Sequence, residues 1–173
     1  MHRLALGLTT VMLAAGSTAA APEKVAFPSG YRSHVSYLTV DRPFNATVRV
    51  FYASPEAART ARSGQPLPRG TVITMEVYKA KVNEQNQPVT DAAGRFIKAD
   101  LVAVMVMEKR RGWGAEYPKE IRNGEWEYAE FAPDGTAHES ADAKPCLECH
   151  KRMSKQDFVF SFPALAAESS RSR

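Results

Sequence analysis

Residues 71–81, TVITMEVYKAK, have the alternating pattern and the β-branched and aromatic composition that predict a long β-strand. Outward from this segment, a second long strand is predicted over Arg95–Lys109, around the apolar run LVAVMVM. Towards the amino terminus, the runs SHVSYLTVD (33–41) and ATVRVFY (46–52) alternate in the same way and predict two more strands.

Helical and turn signals lie between and after these strands. Ser54 suits a helix N-cap and Pro55 the first helical position, and good helix formers follow until Gly64. The dipeptide Asn123-Gly124 indicates a hairpin between Ile121 and the next aromatic run. The order of the elements predicts an α+β fold, a mainly antiparallel twisted β-sheet with a few helices packed on it, one of them near the carboxyl terminus.

A Cys-x-x-Cys-His motif lies late in the chain, at Cys146, Cys149 and His150. On a helix, positions i, i+3 and i+4 lie on one side. The two cysteines can therefore reach the two vinyl groups along one haem edge, while the histidine offers a ring nitrogen to the iron. Pro145 suits the first turn of this helix. The motif predicts one covalently attached haem c on a carboxyl-terminal haem-attachment helix, with His150 as the iron ligand.

Two other readings of the cysteine pair are weaker. A thioredoxin-like dithiol would need a βαβ context, and no parallel-sheet pattern precedes the motif. A zinc site needs about four ligands. Outside the first twenty residues only His34 and His138 could contribute, and the chain has no second Cys-x-x-Cys pair.

The first residues have the three parts of a secretory signal peptide. Residues 1–3 (MHR) are positively charged, residues 4–15 form an apolar run, and small residues follow. The apolar run is too short to span a bilayer, which takes ~20 residues. A signal peptide is thus predicted over residues 1–20, with cleavage near Ala19–Ala21, and the mature protein is expected to be exported and soluble, without a membrane anchor.

The remaining chain predicts a single haem c-binding domain over residues 22–165. Residues 166–173 are small or charged and predict a disordered tail. The net charge is only +4, from 23 basic and 19 acidic residues that are mostly scattered along the sequence. Nucleic-acid binding would require a clustered basic face, so nucleic acid is excluded as a partner.

Three runs followed by the haem motif resemble the cytochrome P-460 and cytochrome c′-beta family: VRVFYASPEAA (48–58), GTVITMEVYKAK (70–81) and NGEWEYAEFAPDG (123–135). The resemblance implies a periplasmic, commonly homodimeric protein whose haem keeps its sixth iron position open. In one branch of the family, which oxidises hydroxylamine, a strand lysine is cross-linked to the haem and a distal carboxylate handles protons. The other branch, c′-beta, lacks the cross-link, has a more apolar distal pocket, and binds nitric oxide and carbon monoxide.

Two positions depart from the hydroxylamine-oxidising pattern. Met75 precedes Glu76 where that branch has its lysine, and methionine has no amine with which to form the cross-link. Ala103 stands where the resemblance places the distal carboxylate, in the run 101–107, which has no ionisable residue. Arg49 matches a distal-pocket arginine of the family. The resemblance, with these departures, favours a protein that binds small gaseous ligands.

Met75 also leaves a second function open. Methionine more often fills gaps in a core, but a haem-facing Met75 could occupy the sixth iron position. Axial ligation by His150 and Met75 raises the reduction potential and suits an electron-transfer cytochrome with a redox partner protein. A hydroxylamine-oxidising or peroxidase-like enzyme is the third possibility. It is disfavoured because such chemistry needs a proton acceptor within hydrogen-bond reach of the substrate.

Overall fold

The structure is a computed structural model that describes residues 25–138 and 142–172. The described residues form one antiparallel sheet whose five strands lie in chain order. The strands are β1 (Val35–Arg42), β2 (Thr47–Ala53), β3 (Val72–Ala80), β4 (Lys98–Lys109) and β5 (Trp126–Phe131). The helices of this part of the chain are α1 (Pro55–Thr60), α2 (Lys144–Lys151) and α3 (Phe162–Arg171), with single 3-10 turns at Tyr31–Ser33, Pro43–Asn45 and Ser154–Gln156. The predicted α+β fold is confirmed.

The four strands predicted up to residue 109 and the first helix lie close to the observed elements. Helix α1 begins at Pro55 with Ser54 as its N-cap, as predicted, although it ends at Thr60 and does not reach Gly64. The Ser54 side chain does not cap the helix; its Oγ accepts a hydrogen bond from the Val72 amide at 3.3 Å. The cap residue therefore connects α1 to the start of β3.

The hairpin predicted at Asn123-Gly124 is wrong. Ile121 lies outside the strands, and residues 110–125 form an irregular connection between β4 and β5. Gly124 does take a left-handed turn conformation, with φ of +63°. Asn123, in contrast, is fully buried, and its Nδ2 donates to the Tyr128 hydroxyl and the Leu147 carbonyl at 3.0 Å each. Asn123 therefore forms a buried link between β5 and α2 instead of a hairpin turn.

The disordered tail predicted from residue 166 is wrong as far as Arg171, because α3 continues to that residue. Leu165 and Ser169 are fully buried. The Ser169 hydroxyl donates to the Arg59 carbonyl at 2.7 Å and accepts from Arg62 Nη1 at 2.6 Å. The small and charged residues at the end of the sequence therefore belong to a helix that buries Phe162, Leu165 and Ser169 and is hydrogen-bonded to Arg59 of α1.

The predicted signal peptide, residues 1–20, lies outside the described residues. Within the described ranges, no helix combines the length and the apolar character needed to cross a membrane.

Each face of the sheet packs against a separate hydrophobic core. On one face, here called the helical face, all three helices pack against the strands in a core that includes Ala53, Ile73, Met107, Trp126 and Tyr128. On the opposite face, the segment around Tyr31 covers a second core that includes Val104, Val106 and Phe131. Alternation along each strand assigns neighbouring residues to different interiors. In β3, Met75 therefore lies on the helical face and Glu76 on the opposite face.

Glu76 is buried on the opposite face at 1% exposure and is surrounded by hydrogen-bond donors. Its carboxylate accepts from the Tyr31 hydroxyl at 2.7 Å, from Arg32 Nε at 2.8 Å, and from the hydroxyls of Tyr52 and Tyr78 at 3.0 Å each. Burial opposes ionisation, but these hydrogen bonds outweigh it and hold the pKa of the Glu76 carboxyl below its usual value. The Glu76 side chain is therefore ionised in the folded protein.

We expect Glu76→Gln to lower the free energy of unfolding by about 1–3 kcal/mol, because buried donors lose their charged acceptor. Urea denaturation measures this change, with Glu84→Gln at an exposed position as the control. Since the folded-state pKa is lowered, the stabilisation is fully present above the ordinary value of 4.5 and is lost as the pH falls below it. The difference between wild type and variant should shrink on acidification; a difference that grows would contradict the role of the charged carboxylate.

Candidate haem site

Helix α2 carries the Cys-x-x-Cys-His motif and is fixed by one apolar side chain. Leu147 is fully buried in the core of the helical face, and Pro145 lies in the first turn of the helix. With Leu147 turned into the core, Cys146 is half-buried, Cys149 is exposed and His150 is half-buried. The three motif residues therefore lie at the border between the packed core and the surface.

The two cysteines are free thiols. Burial raises the pKa of the Cys146 thiol, and the nearby Glu130 carboxylate raises it further. A redox-active dithiol needs the reverse, a lowered pKa that gives a reactive thiolate at neutral pH. The surroundings of Cys146 thus weigh against the dithiol alternative. In the described ranges, no group of three or more His, Cys, Asp and Glu side chains is placed to hold a metal ion.

His150 is held by one hydrogen bond and two ring contacts. Its Nδ1 lies 2.7 Å from the Phe158 carbonyl oxygen, which can only accept, so Nδ1 carries the proton and Nε2 keeps its lone pair. The imidazole packs against the Tyr128 ring at 4.9 Å and edge-on to the Phe160 ring at 5.0 Å. Burial lowers the pKa of His150. The ring is therefore a neutral, oriented ligand with Nε2 available to a metal.

The other two histidines of the described residues, His34 and His138, have different surroundings. Burial lowers the pKa of His34, whose Nδ1 is buried without a hydrogen-bond partner in the described residues. His138 is exposed, and its backbone amide donates to the Glu130 carbonyl at 3.2 Å. The hydrogen bonds of the described residues do not connect either of them to His150.

The strand register brings the three other predicted site residues to the helical face. Residues directly opposite each other on neighbouring strands project to the same side of a sheet. Arg49 is opposite Val77, which is opposite Ala103. In the next row, Phe51 is opposite Met75, which is opposite Met105. All six are half-buried. Arg49, Met75 and Ala103 therefore belong to one incompletely covered patch of the helical face, here called the open patch, which consists of these six residues.

The open patch borders the packed part of the same face. The next row along the strands, Ala53, Ile73, Met107 and Tyr128, belongs to the buried core, and Tyr128 contacts His150. The helices thus cover one end of this face and leave the other partly open. Of the aromatic residues around the strands, Phe51 lies in the open patch, whereas Tyr78 lies on the opposite face with Glu76 and Phe44 is 87% exposed.

Arg49 is the one cation in the open patch. Its Nε is buried and has no hydrogen-bond partner among the described residues. Burial lowers the pKa of Arg49, repulsion from Arg42 adds to this, and attraction to Cys149 opposes it. Its electrostatic interaction with Cys149 relates Arg49 to the haem motif. A buried N–H group without a partner is costly, so the Nε of Arg49 is available to a bound group that accepts its hydrogen bond.

Glu130 is a site residue that the sequence reasoning missed. It pairs with Met105 across β4 and β5, so it lies on the helical face beside the open patch. It is half-buried and close enough to Cys146 to raise the pKa of that thiol. The signal was the strand alternation of WEYAEF (126–131), which puts residues 126, 128 and 130 on one side. A carboxylate beside the patch thus comes from β5 and not from β4.

These residues fit a haem c. Two thiols and an unprotonated imidazole nitrogen come from one helix turn, and an apolar patch lies incompletely covered on the same sheet face. The unpartnered Nε of Arg49 offers a donor to a bound group. The chemistry of the donor set, thiols for thioether bonds and a neutral imidazole for iron, is that of haem attachment.

A comparison with protein-family models matches residues 28–161 to the family Cytochrome P460. The match covers well over half of the chain and includes all five strands and the Cys-x-x-Cys-His motif. A comparison with curated proteins finds no match.

Proposed function

The chain belongs to the cytochrome P460 family, whose members bind haem, and from this premise we propose that it is a periplasmic mono-haem c protein that binds nitric oxide and carbon monoxide. The observation that carries the proposal is the composition of the open patch. Its residues at the two positions that matter for hydroxylamine oxidation, Met75 and Ala103, offer neither an amine nor a carboxylate.

In this proposal each motif residue has one role. Cys146 and Cys149 form thioether bonds that make attachment permanent, and His150 binds the iron through Nε2. The Phe158 carbonyl keeps the His150 ring in the tautomer that this requires. When bound, haem c supplies an iron with one coordination position for an external ligand.

The open patch selects for ligands that are small and neutral. Phe51, Met75, Val77, Ala103 and Met105 present apolar surface. An apolar pocket admits a diatomic gas at little cost, because the ligand loses few interactions with water, whereas charged or strongly hydrated ligands lose many. Arg49 can donate a hydrogen bond to a bound ligand or to an anionic group of the cofactor.

Electron transfer is the second candidate, and the position of Met75 supports it. Met75 is half-buried on the helical face between Phe51 and Met105, so its thioether is not enclosed by core packing. With Met75 as a second axial ligand, the protein would have no open position, and its partner would be a redox protein.

Hydroxylamine oxidation is the least supported function. It requires a group that accepts protons from the bound nitrogen. Glu130 is the carboxylate beside the open patch, and it borders Met105 instead of occupying the position of Ala103.

Export through residues 1–20 and assembly as a homodimer complete the proposal; both rest on the sequence and the family resemblance.

The first prediction is that the haem stays with the chain after denaturation. Replacing both cysteines, Cys146→Ala with Cys149→Ala, should abolish haem staining on denaturing gels, because no thioether can form. Acid–ketone extraction that removes all haem from the wild type would contradict covalent attachment. Mass spectrometry should find the haem on the Cys146 peptide alone; a peptide that also contains residues 70–81 would reveal a cross-link that Met75 cannot make.

The second prediction separates gas binding from electron transfer. The ferrous protein should bind carbon monoxide rapidly, and Met75→Leu, which keeps the side-chain volume and removes the sulfur, should change the association rate little. Met107→Leu, at a buried position of the same face, is the matched control. Stopped-flow mixing and optical spectra measure both. A six-coordinate wild type that Met75→Leu converts to five-coordinate, with much faster carbon monoxide binding, would replace gas binding by electron transfer.

The third prediction concerns hydroxylamine. Turnover should be about 10²–10⁴-fold below that of an enzyme with a positioned base, since general acid–base groups supply a factor of this size. Glu130→Gln should leave both the low turnover and carbon monoxide binding unchanged. A clear loss of turnover in Glu130→Gln, with haem content maintained, would make Glu130 the proton acceptor and favour the enzyme.

A further inference from the structure

Asp157 and Phe158 follow the haem helix and share an uncommon backbone conformation. Both are in the left-handed region, with φ of 50° and 63°, and neither is a glycine. Asp tolerates this region, but Phe rarely adopts it. Two such residues in succession need support from the surrounding structure.

A buried ion pair supplies that support. Lys109, at the end of β4, is 8% exposed, and its Nζ donates to both carboxylate oxygens of Asp157, at 2.8 and 3.0 Å. The same Nζ donates to the Leu67 carbonyl at 2.9 Å, and Asp157 Oδ2 also accepts from the Leu67 amide at 2.8 Å. Nζ lies 5.5 Å from the centre of the Trp126 ring. The Asp157 side chain is thus held to two separate parts of the core.

The conformation fixed at Asp157 reaches His150 through one peptide group. The Phe158 amide donates to the Met153 carbonyl at 2.9 Å, and the Phe158 carbonyl accepts from His150 Nδ1 at 2.7 Å. A hydrogen bond donated by Nδ1–H orients a ligating imidazole and increases the basicity of Nε2. The direction of the Phe158 carbonyl is set by the left-handed pair, because the backbone dihedrals of these residues orient that peptide.

We propose that Lys109 and Asp157 are positioning residues for His150. Their ion pair holds residues 157–158 in the left-handed conformation, which aims the Phe158 carbonyl at Nδ1 and sets how strongly Nε2 donates to the iron. The inference rests on His150 being the iron ligand of the proposed function, but not on which ligand binds the opposite side of the iron.

The test measures the hydrogen bond itself. Asp157→Asn removes the charge, while asparagine can still accept from the Leu67 amide and tolerates the left-handed region. Lys109→Met removes the ammonium group and keeps the length of the side chain. Asp41→Asn is the matched control, because it weakens an exposed ion pair with Arg95 that involves neither Lys109 nor Asp157. All are made in the haem-loaded protein, with haem content checked first.

Two readouts are expected to move in both variants and not in the control. In the diamagnetic ferrous state, with carbon monoxide or with Met75 as sixth ligand, the His150 Nδ1 proton should exchange with water about fivefold faster or more, the factor that corresponds to one ordinary hydrogen bond. The reduction potential should rise, because a less basic imidazole stabilises ferric iron less. Asp157→Gly, which leaves the left-handed backbone accessible, replaces Lys109→Met if that variant does not accumulate.

Unchanged proton exchange and potential in these variants would overturn the inference, even if the variants melt at a lower temperature, since lower stability alone is what a structural ion pair would give. Carbon monoxide affinity in the same samples tests the proposed function separately. A wild type that shows a protected Nδ1 proton and does not bind carbon monoxide would refute gas binding and leave the role of Lys109 and Asp157 standing.

Discussion

The register of β3 is the constraint on which the site depends. This strand is the middle of the sheet, and it sends Met75 to the helical face and Glu76 to the opposite face. A slip of one residue would exchange them, because side chains alternate along a strand. Such a slip would separate the Glu76 carboxylate from its donors Tyr31, Arg32, Tyr52 and Tyr78 and place a charge in the open patch. The buried carboxylate thus fixes the place of the methionine.

Helix α2 depends on tertiary contacts in the same way. It has only eight residues, too few to be stable as an isolated helix. Leu147 packs into the core, and its carbonyl accepts from Asn123. Near its end, Lys151 donates to the carbonyls of Lys119 and Arg122 at 2.9 and 2.7 Å. The irregular connection between β4 and β5 therefore supports α2 through these hydrogen bonds. Gly114 lies within this connection at φ of +78°, and an added Cβ would meet the Gly124 carbonyl at 2.8 Å, so only glycine fits there.

The features that the sequence predicted correctly depend on residues close together in the chain. The features that it did not predict depend on how the strands pair and on contacts between distant residues. Alternation located β1 to β4 and a proline marked the start of α1, because these signals lie within a few neighbouring residues. The Asn123-Gly124 dipeptide misled, since the asparagine is buried for a contact with α2 that is distant in sequence. The motif predicted Cys146, Cys149 and His150 as haem-binding residues from three positions close together in the sequence. Glu130 lies beside the patch because β4 pairs with β5. The Phe158 carbonyl reaches His150 because of a left-handed backbone conformation, and the residue types at this position do not predict that conformation.

The spacing of the strands also determines what the open patch can do. Neighbouring strands are about 4.8 Å apart, so Arg49 on β2 and Glu130 on β5 are separated by roughly 14 Å across the face. Glu130 is also two spacings, about 10 Å, from the backbone of Met75. A carboxylate at Ala103 would instead lie one strand away from Val77, inside the patch. Because position 103 is alanine, the interior of the patch has no carboxylate, and Glu130 lies at its border, close enough to Cys146 to raise the pKa of that thiol.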